Sequence, residues 1–154
     1  MFKKIITIGT LLLASSSFAY DFLPNSKITP GKVASVNVIE VCTKDYSINN
    51  RRVSSSTKTK VYKLYSVNVK ECRGGCKIDH LIPLAIGGSN DIENLWPHEY
   101  GAEWTVYQKT RLEVRLRKAV CQENMPIEEA QQCIASNWTQ CYNHFYPNNK
   151  KGQK

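Results

Sequence analysis

Residues Lys77 to His98 read KIDHLIPLAIGGSNDIENLWPH, an acid and a histidine side by side, then a glycine turn leading to a second polar cluster. Ile78, Leu81, Ile82 and Leu84 give a short strand pattern interrupted by Pro83, which cannot donate to a sheet ladder. Gly87-Gly88-Ser89-Asn90-Asp91 is a run of turn formers, and Ile92 to Trp96 returns as a second extended piece. The pair predicts a loose β-hairpin. From about Gly101 to Val120 there is no proline. Trp104, Leu112, Leu116 and Val120 fall at helical spacings on one side, and Arg111, Arg115 and Lys118 follow i, i+4, i+7 on another. A hairpin followed by that helix brings Asp79, His80, Asn94 and the first helical turn to one point.

Outward from this core the pattern thins. Tyr20 to about Lys32 contains Pro24, Asn25, Pro30 and Gly31 without periodicity, and residues 20–38 read as an extended surface leader outside the site. Val33–Cys42 is apolar and β-branched, and periodicity does not decide between strand and short helix. Between Arg51 and Lys70 stand six basic residues and no acidic one, interleaved with Tyr62 and Tyr65. A second helix is expected from Pro126, at its first turn, to Trp138. Residues 39–146 form the expected domain and 147–154 a basic, disordered tail. No internal repeat is present.

Met1–Ala19 has the form of a signal peptide: Lys3 and Lys4, an apolar run from Ile5 to Ala14, and a small-x-small site at Ser17-Phe18-Ala19. The apolar run falls short of the roughly 20 residues that span a bilayer, so no membrane span is expected. The remaining 135 of 154 residues suit one domain exported to the periplasm or secreted. All six cysteines (Cys42, Cys72, Cys76, Cys121, Cys133, Cys141) lie beyond the cleavage site, an even number that makes disulfides the default. The formal charge of +8 falls by two when Lys3 and Lys4 leave, and the excess favours a polyanionic partner.

Asp79 is a hard oxygen ligand for a divalent cation, which polarises a phosphoryl oxygen and stabilises a leaving group. His80, pointing to the other side of the pleat, is then free to act as general base near neutrality. The bland alternative makes Asp79 and His80 a polar pair at a strand end, Asn94 a turn cap, Glu113 an i,i+4 partner of Lys109, and Arg111, Arg115 and Lys118 a solvated face. Cys72 and Cys76 are spaced for a zinc or redox pair, but no second short-spaced cysteine pair exists to complete a zinc site. Cys133 and Cys141 would stand about 12 Å apart on a continuous helix, beyond disulfide reach, so their pairing requires the helix to end near Trp138.

Asp79-His80, the Gly-Gly-Ser-Asn turn at 87–90 and Asn94-Leu95 together resemble the HNH endonucleases, whose fold is a ββα-metal core. The resemblance extends over roughly residues 39–143, through Ile39-Glu-Val-Cys42, Tyr46, Asn94-Leu-Trp-Pro97, Trp104, Lys109, Leu112-Glu113, Val120-Cys121, Ala130-Gln131 and Trp138. It implies an α+β protein, a ββα-metal core with flanking helices and disulfide staples. It makes His80 the general base, Asp79 a metal ligand and Asn94 the residue bracing loop and base. The third family position, commonly His or Asn about nine residues after Asn94, is Glu103 here. Glu103 is the first choice for the metal, with His98 as a further ligand or a phosphate contact. The resemblance also implies a Cys42–Cys121 bridge, with a local Cys72–Cys76 pair beside it.

The expectation is a secreted, metal-dependent endonuclease that hydrolyses phosphodiester bonds in DNA, and RNA as a second substrate, with low sequence specificity. Its cofactor would be a divalent metal, Mg2+ first and Mn2+ or Zn2+ as substitutes. Arg51, Arg52, Lys109, Arg111, Arg115 and Lys118 are the expected phosphate contacts. Two other classes fit the same residues: a non-catalytic nucleic-acid-binding protein on this scaffold, and a disulfide-rich structural protein of the envelope.

Overall fold

The computed structural model describes residues 22–149; the expected signal peptide and residues 150–154 of the expected tail lie outside the described residues. Within them the chain is mixed α+β, with a two-stranded sheet and three disulfides. Its five helices are α1 (Val38–Val41), α2 (Tyr46–Asn49), α3 (Ser55–Leu64), α4 (Val106–Gln122) and α5 (Ile127–Phe145). No helix among the described residues is long and apolar enough to cross a membrane.

The hairpin consists of β1 (Cys76–His80) and β2 (Leu95–Glu99), antiparallel, with Cys76 opposite Glu99 and His80 opposite Leu95. Its strands are bounded differently from the apolar pattern. β1 stops at His80, and Leu84–Ile86 and Ile92–Asn94 are single 3₁₀ turns. The connecting loop closes because Gly87 takes a positive φ of 82° and because a Cβ at Gly88 would collide with the Ile82 carbonyl. Loop and hairpin are buried together: Leu81, Ile82, Leu84, Ile86, Leu95 and Trp96 all belong to the core.

α4 begins with a capping box, in which Thr105 accepts from the Gln108 amide and the Gln108 side chain accepts from the Thr105 N–H. This cap places the helix start at Val106, five residues after the start of the proline-free run at Gly101. Leu112, Leu116 and Val120 enter the core, each stabilising by about 1.5–3 kcal/mol through burial. α3 was not legible from periodicity. Ser54 caps it by accepting from the Thr57 amide, and only Val61 is buried within it, while Tyr62 donates to the Cys76 carbonyl at the start of β1.

Pro126 stands at the N-cap of α5 rather than in its first turn. Asn137 leaves helical geometry (φ −165°, ψ 97°), and its Oδ1 accepts from the Thr139 and Gln140 amides, capping the second half. The kink brings Cys133 and Cys141 to a Cα separation of 5.5 Å, where a straight helix would hold them about 12 Å apart. Cys42–Cys121 and Cys72–Cys76 are the other two bridges.

Two features at the ends of the domain go beyond what the sequence pattern gives. The leader is stitched to the hairpin loop: Gly31 N–H donates to the Glu93 carbonyl, Ala34 N–H to Gly87, and Ser89 N–H to Lys32, while buried Thr29 donates to the Leu95 carbonyl at 2.7 Å. It lacks periodicity because its hydrogen bonds go to an irregular loop rather than to a regular element. The open choice at Val33–Cys42 resolves into a lone bridge from Val33 to Gly88 followed by α1. At the other end, Pro147–Asn149 form a 3₁₀ turn, so the expected disorder does not begin at 147.

Candidate functional site

β1 delivers Asp79 and His80 to the end of the hairpin, and the loop between the strands returns to brace them. Asn94, fully buried, spends its whole amide on this task. Its Oδ1 accepts from the Ile82 N–H at 2.9 Å, and its Nδ2 donates to the Ile82 carbonyl at 2.9 Å and the Ser89 carbonyl at 2.8 Å. Its backbone carbonyl accepts from the Leu81 N–H, tying β2 to the residue after His80. With its amide saturated, Asn94 positions the loop and has no valence left for a substrate.

Asp79 is buried, yet both oxygens are partnered. Oδ1 accepts from the His80 N–H at 3.0 Å; Oδ2 lies 3.0 Å from His98 Nδ1 and 3.3 Å from the Lys77 ammonium. Burial alone would raise its pKa, but the His98 hydrogen bond and the charges of Lys109 and Lys77 outweigh that and hold the carboxyl below the usual carboxylate range. Asp79 is therefore an anion. His98 sits on β2, fully buried, stacked on Trp96 at 5.1 Å between ring centroids and edge-on to Trp138 at 5.7 Å. Its Nε2–H donates to the Trp104 carbonyl at 2.8 Å, just before α4.

His80 is likewise buried, and this burial is the largest reason its pKa falls to about 4, helped by the positive charges of Arg51 and Lys109 and opposed by the Asn90 hydrogen bond and Asp79. At neutral pH the imidazole is uncharged and can accept a proton. Lys109 is the unexpected neighbour. From α4 its ammonium donates to the His80 carbonyl at 2.9 Å and to Glu113 Oε1 at 2.7 Å, lies 5.5 Å from the Trp96 ring centroid, and is completely buried. The expected phosphate contact at Lys109 is thus overturned: the ammonium holds the backbone of His80 and does not reach the surface. The i,i+4 pairing of Lys109 with Glu113 is present as the spacing suggested.

The remaining expected residues divide. Arg51 and Arg52 are exposed beside the site, linked to it through Arg52 N–H and Asn90. On α4, Arg115 pairs with Glu123 at 2.7 Å and lies over Phe145, Arg111 covers the Tyr146 ring, and Lys118 reaches Glu123 at 3.6 Å. These side chains tie α4 to the end of α5 and to its own C-terminus. Glu103 is exposed in the turn before α4 and makes no hydrogen bond or ion pair among the described residues. It is His98, the second choice from the sequence, that meets Asp79.

One carboxylate and one imidazole meet here, donor types that could hold a divalent cation. Asp79 Oδ2 and His98 Nδ1 are hydrogen-bonded to each other at 3.0 Å, and the Trp104 carbonyl takes the far ring proton of His98. Among the described residues no three His, Cys, Asp or Glu side chains gather as a metal-binding group. Sequence reasoning missed Asn90, Lys77 and the buried role of Lys109. Asn90 was visible only as a turn former, and a lysine at an apolar helical position was the one signal for Lys109. Compared with protein-family models, curated proteins and solved structures, the chain matches none.

Proposed function

We propose that this chain is a metal-dependent endonuclease of the HNH type, hydrolysing phosphodiester bonds in DNA, and in RNA as a second substrate, with little sequence preference. The observation that carries the reading is the pairing at the end of β1 of a neutral, buried histidine with an ionised aspartate that already meets a second nitrogen donor. His80 takes a proton from water as the water oxygen bonds to phosphorus. The bond from phosphorus to the 3′ oxygen breaks, that oxygen collects a proton from solvent, and a 5′-phosphate and a 3′-hydroxyl result.

Asp79 and His98 would hold the divalent cation, with Glu103, exposed before α4, as the further carboxylate that the HNH reading supplies. Magnesium suits a site with few protein ligands, since it keeps waters and takes substrate phosphate oxygens as its other ligands; Mn2+ or Zn2+ are substitutes. When bound, the ion supplies positive charge to the phosphoryl and leaving oxygens. Arg51 and Arg52 supply exposed charge beside the site, so binding is mainly to phosphates and weakens with salt. Export, in the HNH reading, puts the three disulfides in an oxidising compartment.

The test is nicking of supercoiled plasmid by oxidised protein with Mg2+, Mn2+ or EDTA. Cleavage that appears with metal and vanishes with EDTA supports the reading; cleavage unaffected by EDTA contradicts it. A second reading, a nucleic-acid-binding protein without catalysis, is favoured by one observation: only two metal donors meet among the described residues. It predicts retardation of the plasmid in every condition and nicking in none.

A further inference from the structure

The Asn90 side chain lies between the end of α2 and His80. Its Nδ2 donates to the Asn50 carbonyl at 2.8 Å, and its Oδ1 accepts from the Arg52 N–H at 3.2 Å. These two neighbours settle which way the amide points. A carbonyl can only accept and a backbone N–H can only donate, so the flipped amide would place oxygen against oxygen at Asn50 and two donors against each other at Arg52. In the orientation that satisfies both, Oδ1 also lies 3.2 Å from His80 Nε2. A neutral imidazole can bond that oxygen only with its proton on Nε2.

The lone pair then belongs to Nδ1. His80 Nδ1 makes no hydrogen bond among the described residues. The polar side-chain atoms there that are both unpaired and sealed from solvent are Trp138 Nε1 and Asn143 Oδ1; His80 Nδ1 is not among them, although the residue keeps only 2% of its surface exposed. We propose that Asn90 is a positioning residue that fixes His80 as the Nε2–H tautomer and so makes Nδ1 the atom that receives the proton from water. The proton moves from water to Nδ1, while Nε2–H stays on Asn90 Oδ1 throughout. The imidazolium so formed keeps a partner for its second N–H, and the fork of Asn50, Arg52 and Asn90 holds the ring plane. The catalytic consequence rests on the nuclease reading above; the tautomer does not.

The test is a long-range proton–nitrogen correlation spectrum of the nitrogen-15-labelled, oxidised protein at about pH 8, where the neutral ring prevails. Three histidines occur in the chain, and the His80 signals are those lost in His80→Gln. The expected result is a proton-bearing Nε2 in wild type, a mixed or reversed tautomer in Asn90→Ala, and a retained Nε2–H in Asn90→Asp, which keeps an acceptor oxygen. On DNA, Asn90→Ala should lose kcat by about 10- to 100-fold with KM changed less than about 2-fold, the signature of a misoriented base, and Asn90→Asp should recover part of it. A proton on Nδ1 in wild type, or Asn90→Ala turning over at the wild-type rate, overturns the proposal. A wild type that cleaves nothing yet shows the Nε2–H tautomer, lost in Asn90→Ala, supports the positioning role and overturns the nuclease reading instead.

Discussion

His80 carries its chemistry through its surroundings. Burial is the main force that brings its pKa from an ordinary 6.5 to about 4, so the folded protein holds it neutral where an unfolded chain would protonate it. Between about pH 6.5 and 4 the unfolded state binds the extra proton, and stability therefore falls as pH drops through that window. The loss should approach about 3 kcal/mol by pH 4. Urea unfolding at pH 7, 5.5 and 4.5 checks this: wild type should lose stability towards acid more steeply than His80→Gln, and parallel slopes would contradict it. Asp79 acts in a separate range. Its carboxyl is held below the usual value, so its contribution is present above about pH 4 and disappears only at lower pH.

Between elements, the decisive contact runs from α4 to β1 through Lys109. Removing its ammonium leaves the His80 carbonyl without that donor and Glu113 without its partner, although Glu113 keeps 24% of its side chain in water. Lys109→Met should therefore destabilise by about 2–3 kcal/mol, less than a fully buried broken pair, as measured by urea unfolding at pH 7. An unchanged midpoint would contradict the contact. The hairpin and α4 were legible because apolar spacing and a glycine turn are strong local signals. The strand ends were not, because Asn94 closes its loop through contacts that no periodicity encodes. For the same reason Lys109 reads as a surface charge in sequence, and His98 ranks behind Glu103. Burial of a cation or an imidazole is decided by tertiary partners brought from other elements.

For the whole molecule, three cross-links staple a domain whose regular sheet is only two strands. Cys42–Cys121 joins residues 79 apart and Cys133–Cys141 residues 8 apart. Loop-closure entropy predicts stabilisation of about 4–5 kcal/mol for the first and about 2–3 for the second. Cys42→Ser/Cys121→Ser should thus unfold at markedly lower urea than Cys133→Ser/Cys141→Ser, and the reverse order would contradict a chain-entropy origin. Six cysteines and an export-like leader pointed to disulfides as a class. The Cys133–Cys141 pair depends on the kink at Asn137, one residue before the point near Trp138 where the spacing of these cysteines requires the helix to end.

In the proposed reading, the end of β1 hydrolyses a phosphodiester with His80 as base. That reading is tested most directly by comparing wild type with His80→Ala in one mixture of supercoiled plasmid and Mg2+, following nicking and retardation together. Nicking should fall by about 10²- to 10⁴-fold in His80→Ala while retardation is unchanged, because Arg51 and Arg52 remain in place. Equal nicking by the two proteins, or none by either with retardation intact, would contradict it.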